Sequence, residues 1–485
     1  MKVLFVTSEC VPFAKTGGLA DVSGALPRAL AARGIEVRIV MPLYAGCDWR
    51  GLERLDGTLV VPMGWGGRAY CGVRMGTLPG SEVRVYFLEH HAFFDRPYLY
   101  GPPGEGYGDN LARFTFLSRG ALALTKALGW MPEVIHANDW QTALVPIYVN
   151  TVEWGGPLAA AATLFTIHNL AYQGVFGGAS LPVTGLGWEH YRAEELEHFG
   201  ALNLMKGACA HATLLSTVSP TYAREIQTPT FGYGLDGVLA GRSHDLLGIL
   251  NGIDVDEWDP QADPYLAAPF SAADLTGKAV CKAALQQEAG LPVRPAVPLF
   301  GLVGRLTSQK GVDVLAHALD RLLDLDLQFI LLGTGDRDAE HFFGTVAARR
   351  PDRFCAWFQF DNGRAHRVEA GSDFFLMPSR YEPCGLNQLY SLRYGTLPIV
   401  RATGGLADTV VTFDEATGGG TGFCFLDLSP NAIYDTVGWA VATWYQRRGD
   451  IEQMRRRAMA QDFSWDHAAG EYEALYQRAI ARRRG

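Results

Sequence analysis

The sequence predicts an α/β protein built from two doubly wound, parallel-sheet domains of the Rossmann-like kind. Three observations predict it. Short apolar runs of strand length alternate with helical patterns along most of the chain, as expected of parallel strands covered by helices on both faces. The alternation breaks in a proline-rich stretch (Pro260, Pro264, Pro269, Pro292, Pro295, Pro298) and then restarts. The length, 485 residues, exceeds what one ordinary core accommodates.

The elements follow in order. Residues 3–7 read as a buried strand, 20–33 as a helix closed by Gly34, and 37–41 as a second strand. Further strands are expected at 134–137, 163–167, 213–218 and 246–250. The junction lies in NGIDVDEWDP (251–260), where Asn251-Gly252 and Pro260 are turn and breaker signals. Strands resume at 299–306, 327–335, 354–360, 373–379 and 397–402, again between helical patterns. From Trp465 the chain reads as a helix with Tyr472, Leu475, Tyr476 and Ile480 on one stripe. These readings give domains at 1–253 and 254–464, with 465–485 as a helix packing back on the first domain.

Composition narrows the function. Hydrophobic residues at 48% and charged residues at 19% are those of a soluble globular protein. A formal net charge of −9 argues against a general nucleic-acid or polyanion binder. No apolar run reaches membrane-spanning length, and MKVLFVTSE turns acidic too soon for a secretory leader, so a cytoplasmic protein with no membrane partner is expected. Eight scattered cysteines without a Cys-x-x-Cys pair read as reduced, packed thiols.

The hexapeptide TGGLAD occurs twice, at 16–21 and 403–408. In the first copy Gly17 and Gly18 allow close backbone approach to a ligand. The helix starting near Leu19 points free N–H groups at the same place, and Lys15 adds a mobile cation. In the second copy Gly404 and Gly405 can offer N–H groups to another anionic or hydroxyl-rich part of a ligand. GRLTSQKG (304–311) puts Arg305 and Lys310 at a strand-to-helix junction, a pairing suited to a diphosphate. SRYEPCGLNQL (379–389) sets Glu382 in a turn before a helix, and TIHNLAYQG and HANDWQ bring His168 and Asp139 to one sheet edge. Each has a plainer reading: a glycine turn, solvated cations, a capping acid, a satisfied histidine. Three D-x-D triplets, at 254/256, 324/326 and 336/338, read as structural or solvated, so no metal is expected.

Together KTGGLADV, HANDW, TIHNLAYQG, NGID, GRLTSQKG, SRYEPCGLNQLYSLRYGTLP, TGGLADTV and DFSW resemble, in order from residue 2 to about 476, the bacterial glycogen synthase and plant starch synthase family. The resemblance implies a GT-B-type fold with two Rossmann-like domains facing across a cleft, acceptor on the first and nucleotide sugar on the second. It implies retaining transfer of glucose from ADP-glucose to the non-reducing end of an α-1,4-glucan, without metal or cofactor. It further implies that Lys15 and Gly18 lie near the diphosphate and transferred glucose, and that Arg305 and Lys310 neutralise the leaving diphosphate. His168 is then close to the donor glucose, and Glu382 is the essential glutamate. Asp21, Asp139 and Asn251 line the cleft, Gly404 and Gly405 lie beside the donor, and Cys384, Gly385 and Asn387 of the adjoining loop bind the nucleotide sugar, with the Asn387 side chain placed to donate to a phosphate. Phe360 falls where the family has an aromatic ring, usually Tyr, against the adenine. The chain departs from the family at Asn387, often Thr, and in the more polar segment 360–371; Tyr390 stands where many related glycosyltransferases carry a second glutamate. A UDP-glucose-using synthase and a nucleotide-sugar epimerase of similar fold are the alternatives.

Overall fold

In the computed structural model, which describes residues 1–102 and 104–485, the chain divides into two units. One joins Met1–Gly252 to Trp465–Gly485, and the other is Ile253–Ser464.

The first unit is built on a ten-stranded sheet. Its parallel part runs, side by side, Leu246–Gly248, Leu214–Thr217, Ala162–Ile167, Val134–Asn138, Lys2–Val6, Glu36–Pro42 and Arg84–Glu89. Strand order reverses at Lys2–Val6, which pairs with Val134–Asn138 on one side and Glu36–Pro42 on the other. The central strands are apolar because both faces are covered: every residue of Ala162–Ile167 is buried. Beyond Arg84–Glu89 the sheet turns antiparallel through Arg68–Thr77, to which Leu59–Pro62 and Glu53–Arg54 pair. The sequence reading leaves this edge unassigned, because its half-exposed strands lack an apolar run. A small antiparallel sheet, Glu197–His198, Ala201–Asn203 and Val175–Gly177, was likewise not expected.

The helix Trp465–Arg484 completes this unit. Tyr472 and Tyr476 are wholly buried. Tyr476 Oη lies 2.8 Å from His136 Nδ1, whose Nε2 is 2.6 Å from Thr166 Oγ1, itself 2.6 Å from Ser216 Oγ. The helix is thus tied to three successive strands by one buried polar chain. Burial holds the His136 imidazole well below its ordinary range, so it is neutral. At the surface Arg33, the residue that follows helix Gly18–Ala32, pairs with Glu473 and Asp466.

The second unit carries six parallel strands, in the order Phe354–Trp357, Gln328–Leu332, Leu299–Val303, Phe374–Met377, Leu397–Arg401 and Phe423–Phe425. Counted along the chain this is 3-2-1-4-5-6, the doubly wound dinucleotide-binding order. Alternate side chains feed two cores. Phe300 and Leu302 pack with Leu315 and Leu319 of helix Val312–Leu322 and with Val437 and Trp444 of helix Pro430–Gln446. Leu299 packs oppositely with Leu285, Val368 and Leu406. Local chemistry sets the helix starts: the Ser429 hydroxyl accepts from Ala432 N–H just before Pro430, and Asp361 caps Asn362–Gly371 the same way. The expected strand at 354–360 stops at Trp357, and Phe423–Phe425 is too short to have been read from the sequence.

Candidate active site

In each unit most of the predicted residues follow the strands at which strand order reverses, where neighbouring loops diverge from the carboxyl ends; Asn251 and Phe360 instead follow the outer strands Leu246–Gly248 and Phe354–Trp357.

In the first unit the site forms after Lys2–Val6 and Val134–Asn138. Glu9 is buried, and its carboxylate accepts the N–H groups of Thr16 and Gly17 and the hydroxyls of Thr16 and Tyr100. This acid, two residues past the predicted strand, fixes the first TGG segment; an acidic residue at the carboxyl end of the first strand was the signal available. Residues 15–18 are exposed, and Gly18 is the first residue of its helix. Lys15 Nζ is 2.7 Å from Asp21 Oδ1.

Asp139, at φ +56°, accepts the backbone N–H groups of His168 (2.7 Å) and Asn169 (3.4 Å) through Oδ1. Burial pushes its carboxyl up to about 7, those two hydrogen bonds offset only part of the rise, and Glu9 adds to it. Asn138 Nδ2 donates to Val6 O, which turns Oδ1 toward His168 Nε2 at 3.0 Å. Nε2 therefore carries the proton and Nδ1 is left as the acceptor. Burial lowers the His168 pKa to about 3, so the ring is a neutral donor–acceptor. Asn251 is buried, and its Oδ1 has no hydrogen-bond partner among the described residues.

In the second unit Leu299–Val303 and Phe374–Met377 flank the reversal. Gly311, at φ +69°, lets the turn after Lys310 abut Pro378, where a Cβ would meet the carbonyl oxygen at 1.9 Å. The result is a short ion pair: Lys310 Nζ is 2.6 Å from Glu382 Oε2, which also accepts from Ser379 Oγ at 2.9 Å. Glu382 is 5% exposed. Arg305 is exposed, with Nη2 3.5 Å from Gln309 Oε1. Phe360 stands 86% exposed between its strand and helix.

Three placements differ from the sequence reading. The second TGG is buried, and Gly405 N–H donates to the carbonyls of Glu382 and Pro383 (3.1 and 3.2 Å) instead of standing ready for a ligand. A Cβ on Gly404 or Gly405 would lie 1.9 Å from Glu382 O or 2.0 Å from Cys384 O. Close packing against the Glu382–Cys384 turn therefore accounts for this Gly-Gly. Asn387 Nδ2 donates to Val303 O at 2.5 Å, tying helix to strand with a proton the sequence reading left for phosphate. Gly385 takes φ +74°, closing the turn behind buried Cys384. Tyr390 lies flat on Trp258, centroids 3.6 Å apart, so that position serves packing. Of the D-x-D carboxylates, Asp254 caps its own turn, Asp324 pairs with Arg350 and Asp326 with Arg294.

Comparison with known proteins places these sites in context. Residues 2–241 match the family model described as the starch synthase catalytic domain, and 286–457 match glycosyl transferases group 1. Glycogen synthase 1 of Geobacter metallireducens is 54% identical, covering 100% of this chain and 97% of that protein. Glycogen synthase of Anaeromyxobacter dehalogenans is 53% identical over 98% and 99% of the two chains. Among solved structures, the catalytic domain of Arabidopsis thaliana starch synthase IV, bound to ADP and acarbose, superposes with a TM-score of 0.91 at 35% identity, covering 99% of each chain. Sucrose-phosphate synthase of Thermosynechococcus elongatus gives 0.62 at 18% identity over 99% of each chain, a likeness of fold alone.

Proposed function

This chain belongs to the glycogen and starch synthase family of retaining, GT-B-fold glycosyltransferases, and from that premise we propose that it moves glucose from ADP-glucose to the non-reducing end of an α-1,4-glucan. The observation that carries the residue assignment is the Lys310–Glu382 pair, with Arg305 exposed on the same loop as Lys310, at the strand reversal of a dinucleotide-type sheet. The starch synthase relative bound to ADP supports adenine as the base. UDP-glucose is the alternative donor.

The chemistry follows from charge. As the C1–O bond breaks, negative charge builds on the departing diphosphate, and Arg305 and Lys310 stabilise it. Glu382 has Oε2 engaged by Lys310 and Ser379, so Oε1 is the oxygen offered to a glucose hydroxyl. His168, neutral at working pH, contributes hydrogen bonding without adding charge near C1. The acceptor 4-hydroxyl attacks from the face the diphosphate leaves and gives its proton to a phosphate oxygen, which retains configuration. Lys15, Gly18, Asp21, Asp139 and Asn251 line the glucose and acceptor side; Phe360 meets the base. The reaction needs no metal or cofactor, and the enzyme works in the cytoplasm; no described helix is long and apolar enough to cross a membrane.

Incubating the protein with glycogen and radiolabelled ADP-glucose or UDP-glucose, without added metal, and counting label in precipitated glucan tests this. Label from ADP-glucose is expected. Label from UDP-glucose alone would overturn the base assignment, and label from neither would overturn the function. Arg305→Ala with Lys310→Ala should cut turnover by about 10³-fold, by the size of comparable charge-stabilising groups.

A further inference from the structure

We propose that His190, Glu195 and His211 form a binding site for one borderline divalent transition-metal ion of the Zn²⁺ class. None of the three belongs to the residues assigned to glucosyl transfer, and their spacing in sequence matches no metal motif.

The fold gathers them. His190 ends the 3₁₀ turn Trp188–His190, Glu195 lies in the loop that follows, and His211 is the last residue of helix Leu204–His211. Glu195 Oε2 is 2.7 Å from His190 Nδ1 and 3.3 Å from His211 Nε2, and the three donor atoms lie within 4.8 Å of one another. Ligands bonded at about 2.0–2.1 Å around a tetrahedral ion sit about 3.3 Å apart, so small adjustments would complete the shell.

Three further observations point the same way. His211 Nε2 is buried and faces Glu195 Oε2 across 3.3 Å. The other oxygen, Oε1, is held by Arg192 through Nε and Nη2, an outer hydrogen bond that orients the carboxylate. Arg192 is 59% exposed, so water screens its charge. The histidine also closes a helix C-terminus, whose dipole favours a cation. Two histidines and one carboxylate leave a position for water and suit Zn²⁺ or Co²⁺ over Mg²⁺. The ion would fasten the loop after Trp188 to the end of helix Leu204–His211.

The test uses the full chain, stripped with a chelator and titrated with Co²⁺. One equivalent should bind at micromolar concentration, with visible absorption bands that Zn²⁺ abolishes, and Zn²⁺ should raise the melting temperature. Glu195→Gln and His211→Gln should each weaken binding by at least about 100-fold, while metal-free glucan synthesis stays unchanged. His467→Gln, exposed on the last helix, should bind as the parent does. Should a buried-site variant not fold, His190→Gln in the surface turn makes the same test. Absence of stoichiometric Co²⁺ uptake, or uptake unaltered in His211→Gln or His190→Gln, overturns the proposal; the Glu195–His211 contact is then a shared proton.

Discussion

The hexapeptide at 16–21 and its copy at 403–408 both start a helix after a parallel strand, yet they face different surroundings. In the first copy Thr16, Gly17 and Gly18 are exposed, and a buried acid, Glu9, receives the free N–H groups. In the second copy Thr403, Gly404 and Gly405 are buried against the Glu382–Cys384 turn, and backbone carbonyls receive the N–H. Lys15 precedes the first copy and reaches Asp21; the second has Ala402 in that place. One string of letters thus makes an open loop in one setting and a packed joint in the other. Glycine permits both, and the neighbours decide.

That contrast can be broken experimentally, and the largest effect is expected at the packed copy. Gly405→Ala drives a Cβ into Cys384 O, with no flexible side chain to give way. It should cost about 3 kcal/mol in urea melts. Because the displaced turn carries Glu382, initial rates should fall about 10²-fold. A variant with parental stability and rate would refute the joint.

Glu9→Gln replaces one acceptor oxygen of the open copy with an NH₂ facing donors. A loss of about 2 kcal/mol is expected from the unsatisfied groups, read by denaturant midpoint. Parental stability would mean the loop holds its shape without the acid.

The same acid helps raise Asp139, and pH sharpens that link. The folded Asp139 carboxyl titrates near 7, above its ordinary value, so the folded state binds this proton more tightly than the unfolded chain. Its stability contribution is therefore complete below the ordinary carboxyl pKa and is lost as pH rises to about 7. Asp139→Asn should flatten that decline, so its melting temperature should gain on the parent's through this window. Parallel curves would contradict the burial argument.

The smallest stability effect belongs to Gly17→Ala. Its backbone is extended at φ −158°, and a Cβ there meets nothing within 4 Å. Stability should change by less than about 0.5 kcal/mol, while KM for the nucleotide sugar rises. An unchanged KM would take this loop out of substrate contact.

How much of this was legible depended on the kind of signal. Leu299–Val303 and Gln328–Leu332 are apolar throughout, so they announce themselves. Arg68–Thr77 lies half exposed in the antiparallel part of the sheet and carries arginines and glycines, so no period betrays it. Among site residues, Lys310 and Glu382 could be named from motifs. Their 2.6 Å pairing across 72 positions is a product of topology. Glu9 went unnamed because a single acid after a strand looks like any other. Its role comes from the turn that folds Thr16 and Gly17 back onto it and from Tyr100, whose distance along the chain hides the contact. The second Gly-Gly misled because sequence gives conformational freedom without saying what will occupy the space.

The helix Trp465–Arg484 has a consequence for biosynthesis. The whole of Ile253–Ser464 is translated between Gly252 and the segment that brings Tyr476 to His136. Until that segment leaves the ribosome, a buried imidazole nitrogen in the middle of the first sheet lacks its hydroxyl, and Tyr472 and Tyr476 have not covered their strands. A message broken before codon 465 would thus yield a first unit with an exposed apolar stripe, a mark by which quality control can tell an unfinished synthase from a finished one.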